Sequence, residues 1–299
     1  MAAMDATELI PEIAREVAGR YVFPDVGARI ARVLTSRLAA GAYDAADTPQ
    51  ALDALVTADL QSVNDDKHLR LKYHSEPVPD LPSEEMVTAM MTRQAASTTD
   101  GVRRVERLDG NVALLAFEPL LYPPAIAGDS IVAALQLVAK ADALVIDLRA
   151  VRGGDPSTVA LICSYLVDGE PVHLMNFYER ESDSTQQSWT LPYVPGPRFG
   201  GTKPIRVLTG GDTFSGGEEL AYDLQHLGRA TVVGERTKGG AHPRMGLRVH
   251  PHLELTLPVA RSANPKNGEN WEGVGVIPDI EAPAERALEV ALSTLEPVG

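Results

Sequence analysis

Residues 207–235, VLTGGDTFSGGEELAYDLQHLGRATVVGE, contain the strongest structural pattern of this chain. The apolar run 205–208 predicts a β-strand, and a turn rich in glycine follows it. Apolar residues at helical spacing predict a helix over 218–227, closed by Gly228, and the run 230–233 predicts a second strand. This order predicts a βαβ unit with parallel strands. The turn therefore lies at the carboxyl end of a strand, where open parallel sheets bind their ligands.

Ser215 lies in this turn and has two interpretations. With Glu218 three residues later it matches a capping box, in which a serine and a glutamate satisfy backbone N–H groups at the start of a helix. A serine at a sharp strand-to-helix turn is also how hydrolases expose a nucleophile. Gly216 and Gly217 favour the nucleophile, because each costs roughly 1 kcal/mol of helix propensity and lets a substrate approach the backbone closely.

A second turn of the same kind follows the apolar run 143–148, which predicts a buried central strand. This turn contains Gly153 and Gly154, and a helix is predicted over 157–167. If the two turns lie side by side on one edge of the sheet, their backbone N–H groups would form an oxyanion hole. The alternative is that both glycines only provide positive φ angles in a tight turn.

Three blocks of sequence resemble the carboxyl-terminal-processing (tail-specific) serine protease superfamily: DLRAVRGG (147–154), TFSGGEELAYDLQHLGRATVVGERTKGGAHP (213–243) and NWEGVGVIPDI (270–280). The chain is most similar to the modules of interphotoreceptor retinoid-binding protein and their bacterial relatives, from about residue 60 to the end. The resemblance implies an α/β fold, with a crotonase-like ββα core, a mixed sheet flanked by helices and a helical N-terminal domain. It also implies a serine-type peptidase.

The resemblance implies that Ser215 is the nucleophile. In the processing-protease branch the base is a lysine 25 positions downstream, where this chain has Gly240, and Lys238 lies two residues earlier. The tricorn-like branch uses serine, histidine and glutamate, and its last two residues map onto His68 in NDDKHLRL and Glu272 in NWEGVGV. That branch has a serine before the histidine, whereas this chain has Lys67.

In the tricorn-like scheme, His68 would take the proton of Ser215, and Glu272 would fix the tautomer of the imidazole. The N–H group of Gly216, with that of Gly153 or Gly154, would hold the oxyanion. Two other residues are alternative bases: Lys238, as a shifted lysine, and His242 in the GGAHP block.

Helical periodicity dominates the first third of the chain. We expect a helical N-terminal domain over 1–80, a connector with one helix over 81–100, and the α/β core over 101–299. A hairpin is predicted at 102–117 around an Asp-Gly-Asn turn, and a long excursion at 177–199. Too few residues separate the helical domain from the core to hold the PDZ domain that is usual in processing proteases.

The amino-acid composition of the chain limits the kinds of partner that it is expected to bind. The net charge of −14 disfavours nucleic acids and anionic membrane surfaces, and no apolar run is long enough to span a membrane. The single cysteine, Cys163, falls in an apolar helix and is expected to be a buried thiol. The acidic, amphipathic N-terminus lacks the features of a signal peptide, which favours a cytoplasmic location. No phosphate-binding or dinucleotide-binding motif is present, so no cofactor is expected.

Two functions from different classes remain. The first is a serine peptidase that acts on short peptides or unfolded proteins. The second is a catalytically weak or inactive module that binds an apolar ligand such as a retinoid or fatty acid. Intact Ser215, His68 and Glu272 favour the peptidase, whereas the missing lysine, Lys67 and the missing PDZ domain favour the binding module. The exposed N-terminal helices are also compatible with a homo-oligomer.

Overall fold

The computed structural model describes residues 5–79 and 84–295. The helices, in chain order, are α1 (Ala6–Arg20), α2 (Pro24–Ala39), α3 (Pro49–Gln61), α4 (Glu84–Ala96), α5 (Pro124–Val138), α6 (Pro156–Leu166), α7 (Gly216–His226) and α8 (Ala287–Ser293). The strands are β1 (Arg70–Tyr73), β2 (Val102–Leu108), β3 (Val112–Phe117), β4 (Ala143–Asp147), β5 (His173–Glu179), β6 (Ser184–Trp189), β7 (Ile205–Thr209), β8 (Thr231–Gly234), β9 (Arg244–His250), β10 (Leu253–Pro258), β11 (Ala260–Ala263) and β12 (Ile280–Glu281).

The described chain folds as two compact units, each built from several segments of sequence. The first contains residues 5–79, Phe177–Gln186 and His242–Ala263. The second contains Glu84–Asn176, Gln187–Ala241 and residues 264–295. Strands β5 and β6 each have residues in both units.

The first unit packs helices α1, α2 and α3 against a small antiparallel sheet of order β1-β10-β9. Each helix buries one apolar face, as its helical periodicity predicts. In the sheet, Leu71 of β1 lies opposite Leu255 of β10, and both are buried. The shared core includes Ile10, Ile13, Val17, Ile30, Leu34, Leu52, Val56, Leu60, Leu71, Leu253, Leu255 and Leu257.

The second unit is built on a six-stranded mixed sheet of order β12-β8-β7-β4-β3-β2. Only the β2–β3 pair is antiparallel, and its residues form the predicted hairpin. The other neighbouring strands run parallel. Strand β3 (VALLAF) is buried along its whole length, as expected of a strand covered on both faces. The predicted mixed sheet flanked by helices is therefore confirmed.

The predicted βαβ unit is also confirmed, because β7 and β8 pair in parallel on either side of α7. Strand β4 pairs in parallel with β7, and Asp147 lies opposite Leu208. The carboxyl ends of neighbouring parallel strands meet at one edge of a sheet. The turns after β4 and β7 therefore leave the sheet side by side.

Local patterns were misleading in two places. The excursion predicted at 177–199 contains Phe177–Glu179 of β5 and the whole of β6. Strand β6 (STQQSW) is mostly polar, so it has no apolar alternation to detect. The alternating sequence His250-Pro-His252 is typical of a strand, but β9 ends at His250 and β10 begins at Leu253, so residues 251–252 form a turn. Residues 80–83, at the predicted boundary between the helical domain and the connector, lie outside the described residues.

Among the described helices, none combines the length and the apolar character that a membrane span requires.

Helix α3 provides a direct test of the first core. Leu60 is fully buried, whereas Leu55 on the same helix is 37% exposed. Leu60→Ala is expected to lower the free energy of unfolding by about 2–5 kcal/mol, since it removes buried methyl groups and leaves a cavity. Leu55→Ala should change it by less than about 0.5 kcal/mol. Chemical denaturation measures both, and equal losses would contradict the assigned face of α3.

Candidate active site

Ser215 lies in a strained turn between β7 and α7. Its backbone has φ 53° and ψ −118°, and the N–H group of Gly217 donates to the carbonyl of Phe214 at 3.1 Å. These angles match the first central position of a type II′ turn, which glycine normally occupies. A residue with a side chain pays of order 1–3 kcal/mol for such a conformation. A strained serine at a strand-to-helix turn is the geometry that exposes the nucleophile of many hydrolases.

Glu218 holds this turn against the segment that follows β8. Its buried carboxylate accepts hydrogen bonds from the backbone N–H groups of Ser215, Gly239 and Gly240, at 2.8, 2.7 and 2.9 Å, and from the hydroxyl of Thr237. Burial raises the pKa of Glu218, and the four hydrogen bonds oppose this rise. The glutamate of the predicted capping box is therefore present, but it serves a larger network than a helix cap.

The two glycine turns pack directly against each other. A Cβ atom on Gly216 would lie 2.7 Å from the backbone nitrogen of Gly154, and one on Gly154 would lie 2.4 Å from Cβ of Leu121. The N–H group of Phe214 also donates to the carbonyl of Val151 at 3.0 Å. The space beside Gly216 that was expected to admit a substrate is thus filled by the neighbouring turn. Here the glycines allow two stretches of backbone to touch.

The segment after β8 contains the position where the processing-protease branch has its lysine. Gly240 occupies it and accepts a hydrogen bond at 2.9 Å from the indole nitrogen of Trp271, which is buried. Lys238 is exposed, and its Nζ lies over the ring of Phe214, 5.5 Å from the centroid. A lysine base is activated by desolvation, whereas Lys238 is exposed to solvent.

Glu272 lies in the loop before β12 and is partly buried. Its Oε2 accepts a hydrogen bond from the N–H group of Ala241 at 2.6 Å, and its own N–H group donates to Oδ1 of Asn270 at 2.9 Å. One backbone N–H group thus holds the carboxylate, and the side chain of Asn270 holds the backbone of Glu272. This does not match the freely solvated glutamate that a polar, glycine-rich loop normally contains.

His68 is buried in the first unit, just before β1. Its N–H group donates to Oδ1 of Asp66 at 3.0 Å, which makes an Asx turn, and its carbonyl accepts from the hydroxyl of Thr256. Burial lowers the pKa of His68 to about 4, against the opposing charge of Asp66. The ring is therefore neutral at pH 7. The ammonium of Lys67 is paired with Asp65.

His242, in the first unit, is joined to the same aspartate. Its Nδ1 lies 3.1 Å from Oδ2 of Asp66, and both side chains are buried. The hydroxyl of Tyr21 donates to the same oxygen at 2.7 Å, and the ring of Phe23 packs edge-on against His242 at 5.2 Å. Sequence reasoning considered His242 only as an alternative base and missed Asp66. The Asp-x-His spacing of an Asx turn was the one available signal.

The candidate residues divide between the two units. Ser215, Glu272, Lys238 and the three glycines belong to the second unit, and His68 and His242 belong to the first. Within the second unit, the packing of Gly154 on Gly216 brings the proposed oxyanion donors together beside Ser215. The scheme that joins Ser215 to His68 and Glu272 remains a prediction.

Helix α7 also carries a buried acidic pair that sequence reasoning missed. Glu219 and Asp223 are one helical turn apart and are 4% and 1% exposed. Oε1 of Glu219 and both carboxylate oxygens of Asp223 are buried without a hydrogen-bond partner among the residues that the structure describes. Burial raises the pKa of both groups well above the usual range, and the charges of Asp223 and Asp155 raise that of Glu219 further. Both carboxyl groups lie close enough to Cys163 on α6 to raise the pKa of its thiol. Cys163 is buried, as predicted.

The glycine contact yields a prediction in which two effects have opposite signs. Helix propensity alone would make Gly216→Ala stabilising, whereas contact with Gly154 makes it disruptive. We expect a loss of about 1–3 kcal/mol in the free energy of unfolding, the usual cost of overpacking. Gly128→Ala on α5, where a Cβ atom meets nothing closer than 3.7 Å, is the control and should stabilise slightly. Thermal unfolding distinguishes the two, and a stabilised Gly216→Ala would refute the contact.

The acidic pair predicts an unusual dependence of stability on pH. Because the pKa values are raised on folding, the folded state keeps its protons at pH values where the unfolded chain has lost them. Stability therefore falls as the pH rises above about 4. The double variant Glu219→Gln/Asp223→Asn should differ little from wild type at pH 4 and be more stable at pH 8, by more than about 1.4 kcal/mol, the equivalent of one pKa unit. Asp129→Asn, at an exposed position on α5, should keep the wild-type slope in the same denaturation series. Parallel pH profiles for wild type and double variant would contradict the assignment.

Comparison with known proteins places this geometry in context. A family model described as peptidase family S41 matches residues 110–282, more than half of the chain. A second model, described as the N-terminal domain of peptidase family S41 in eukaryotic IRBP, matches residues 4–106.

Three solved structures share the fold. A candidate peptidase from Parabacteroides merdae has a TM-score of 0.65 at 15% identity, over 99% of this chain and 98% of that one. The photosystem II D1 C-terminal processing protease has a TM-score of 0.56 at 15% identity, over 94% of each chain. The tricorn protease has a TM-score of 0.58 at 13% identity, over 98% of this chain and 36% of that one. At such low identities these likenesses concern the fold alone.

Proposed function

The chain belongs to peptidase family S41, as its sequence blocks predicted, and we propose that it hydrolyses peptide bonds by acyl transfer to Ser215. In this proposal His68 is the general base and Glu272 is the carboxylate that orients it. The substrates are short peptides or unfolded proteins. The observation that carries the proposal is the strained backbone of Ser215 at the carboxyl edge of a parallel sheet.

The strain at Ser215 favours a nucleophile over a simple helix cap. A cap residue has an extended backbone, with negative φ, whereas Ser215 has φ 53°. Glycine would relieve the strain, so a serine here has a cost that a structural role does not explain. Four acceptor contacts on Glu218 keep the turn in this conformation.

The oxyanion donors follow from the packing of the two turns. Attack by Ser215 on a carbonyl develops negative charge on its oxygen, which backbone N–H groups held in advance stabilise strongly. Gly216 is the residue after the nucleophile and the first residue of α7, so its N–H group belongs to the free N-terminal turn of the helix. Gly153 or Gly154, from the turn packed against it, supplies the second donor.

A histidine base is better supported than a lysine. His68 is buried and neutral at pH 7, so its imidazole is in the form that accepts a proton. In the proposed reaction it takes the proton of Ser215 and returns it to the leaving amine, after which water hydrolyses the acyl-enzyme. Exposed Lys238 lacks the desolvation that would activate it.

A fluorophosphonate probe tests the nucleophile directly. We expect intact-protein mass spectrometry to show a single covalent adduct on the wild type and none on Ser215→Ala. His68→Ala should slow capture by about 10²–10⁴-fold, the usual contribution of a general base. Glu272→Gln should slow it less, because that residue acts only through the imidazole. Lys238→Ala should be captured at the wild-type rate.

Other outcomes would redirect the assignment. Normal capture of His68→Ala, with loss of capture in His242→Ala or Lys238→Ala, would keep the enzyme class and move the base. Absence of any adduct on folded wild-type protein would reject an activated serine. Bound fatty acid or retinoid in organic extracts of that protein would then favour the ligand-binding module.

A further inference from the structure

Asp66 joins the two buried histidines of the first unit. It is fully buried, and its carboxylate accepts three hydrogen bonds: from the N–H group of His68 at 3.0 Å, from Tyr21 at 2.7 Å and from Nδ1 of His242 at 3.1 Å. We infer that Asp66 is a positioning residue of the proposed peptidase, which sets the turn that carries His68, fixes the ring of His242 and stabilises His68 when it takes a proton. This inference rests on the proposed function.

The charge state of Asp66 follows from its hydrogen bonds. Burial alone would raise the pKa of its carboxyl, but hydrogen bonds from His242 and Tyr21, together with electrostatic attraction to the His242 and His68 rings, outweigh burial, and the pKa is lowered. Asp66 is therefore ionised at pH 7 and can only accept hydrogen bonds. Tyr21 is itself held, since its hydroxyl accepts from Nδ2 of Asn64 at 2.7 Å. The carboxylate therefore has a fixed orientation.

The charge of Asp66 decides the tautomer of His242. Because an ionised carboxylate offers no proton, Nδ1 of His242 must be the donor in the 3.1 Å contact. A neutral His242 then has its proton on Nδ1 and its lone pair on Nε2. The same arrangement orients the imidazole of a serine protease triad, where replacing the aspartate by asparagine leaves the geometry intact but selects the wrong tautomer.

Asp66 also acts on His68, through its backbone turn and through its charge. Asp66 Oδ1 and the Asp66 carbonyl accept from the N–H groups of His68 and Leu69, so a single residue shapes the turn in which His68 lies. Burial makes the imidazolium form of His68 costly, and the charge of Asp66 is the largest contribution that opposes this cost. A base that must take a proton in the rate-determining step gains from a nearby fixed negative charge.

The chain supplies a matched control beside Asp66. Asp65 lies in the same turn and carries the same charge, but its side chain is 65% exposed and it pairs with Lys67 at the surface. Asp65→Asn and Asp66→Asn therefore remove one charge each, one residue apart. Only the second also replaces the oxygen that accepts from Tyr21 and His242 by an amide group that donates, while the remaining oxygen can still accept from the N–H group of His68.

The decisive measurement combines capture of Ser215 by a fluorophosphonate with long-range 1H–15N NMR of histidine-labelled protein. We expect wild-type His242 to carry its proton on Nδ1. Asp66→Asn should shift that proton to Nε2 and lower the capture rate at pH 7 at least about 10-fold, while Asp65→Asn matches wild type in both. Tyr21→Phe, which keeps the charge, should preserve the tautomer and lower the rate less.

Several results would overturn the inference. A wild-type His242 protonated on Nε2 would do so without any variant, which matters if Asp66→Asn does not fold. Equal capture rates for Asp66→Asn and wild type would reject the role of Asp66 and leave Ser215 as the nucleophile. Equal losses of capture rate in Asp65→Asn and Asp66→Asn would show that the effect comes from removing a negative charge, and not from the hydrogen bonds of Asp66. Absence of capture in the wild type would instead reject the proposed function, and the inference with it.

Discussion

The turn that presents Ser215 depends on the close contact of two backbone segments at one edge of a parallel sheet. Gly154 occupies the space where a side chain of Gly216 would lie, and Leu121 occupies the space beside Gly154. This contact requires β4 and β7 to be neighbours in parallel register, because only then do both turns leave the sheet at the same edge. The strain of Ser215 persists because this contact and the hydrogen bonds of Glu218 hold the turn in place.

Three buried carboxyl systems show how differently the fold treats the same chemical group. Glu218 accepts four hydrogen bonds, which oppose the rise in pKa that burial causes, and the residue organises the turn. Asp66 accepts enough hydrogen bonds to remain ionised, and it organises two histidines. Glu219 and Asp223 have raised pKa values and unsatisfied oxygens. An ionised form of that pair would be costly in a buried site, so its raised pKa values favour the protonated form.

Much of the secondary structure was predictable, because each element carries its own local signal. Apolar periodicity and turn residues predicted the hairpin at 102–117, strand β4 and helix α7, with bounds close to those observed. Strand β6 was missed because its residues are mostly polar and exposed. The turn between β9 and β10 is not evident from the sequence, because alternating histidines imitate a strand. The choice of Ser215 as the candidate nucleophile needed both a local pattern and the family resemblance, since a capping box has the same spacing.

The chain's linear order was enough to specify the βαβ unit, the helical start of the chain and a serine in a glycine-flanked turn. These features depend on periodicity and on turn chemistry over a few residues. Three features became visible only in the tertiary structure. They are the contact of Gly154 with Gly216, the hydrogen bonds of Glu218 to the loop after β8, and the hydrogen bond between Asp66 and His242. The last pair is separated by 176 residues, and no local pattern fixes the partner of a buried carboxylate. Packing decides it, because a buried polar group must find its hydrogen bonds wherever the folded chain brings a donor within reach.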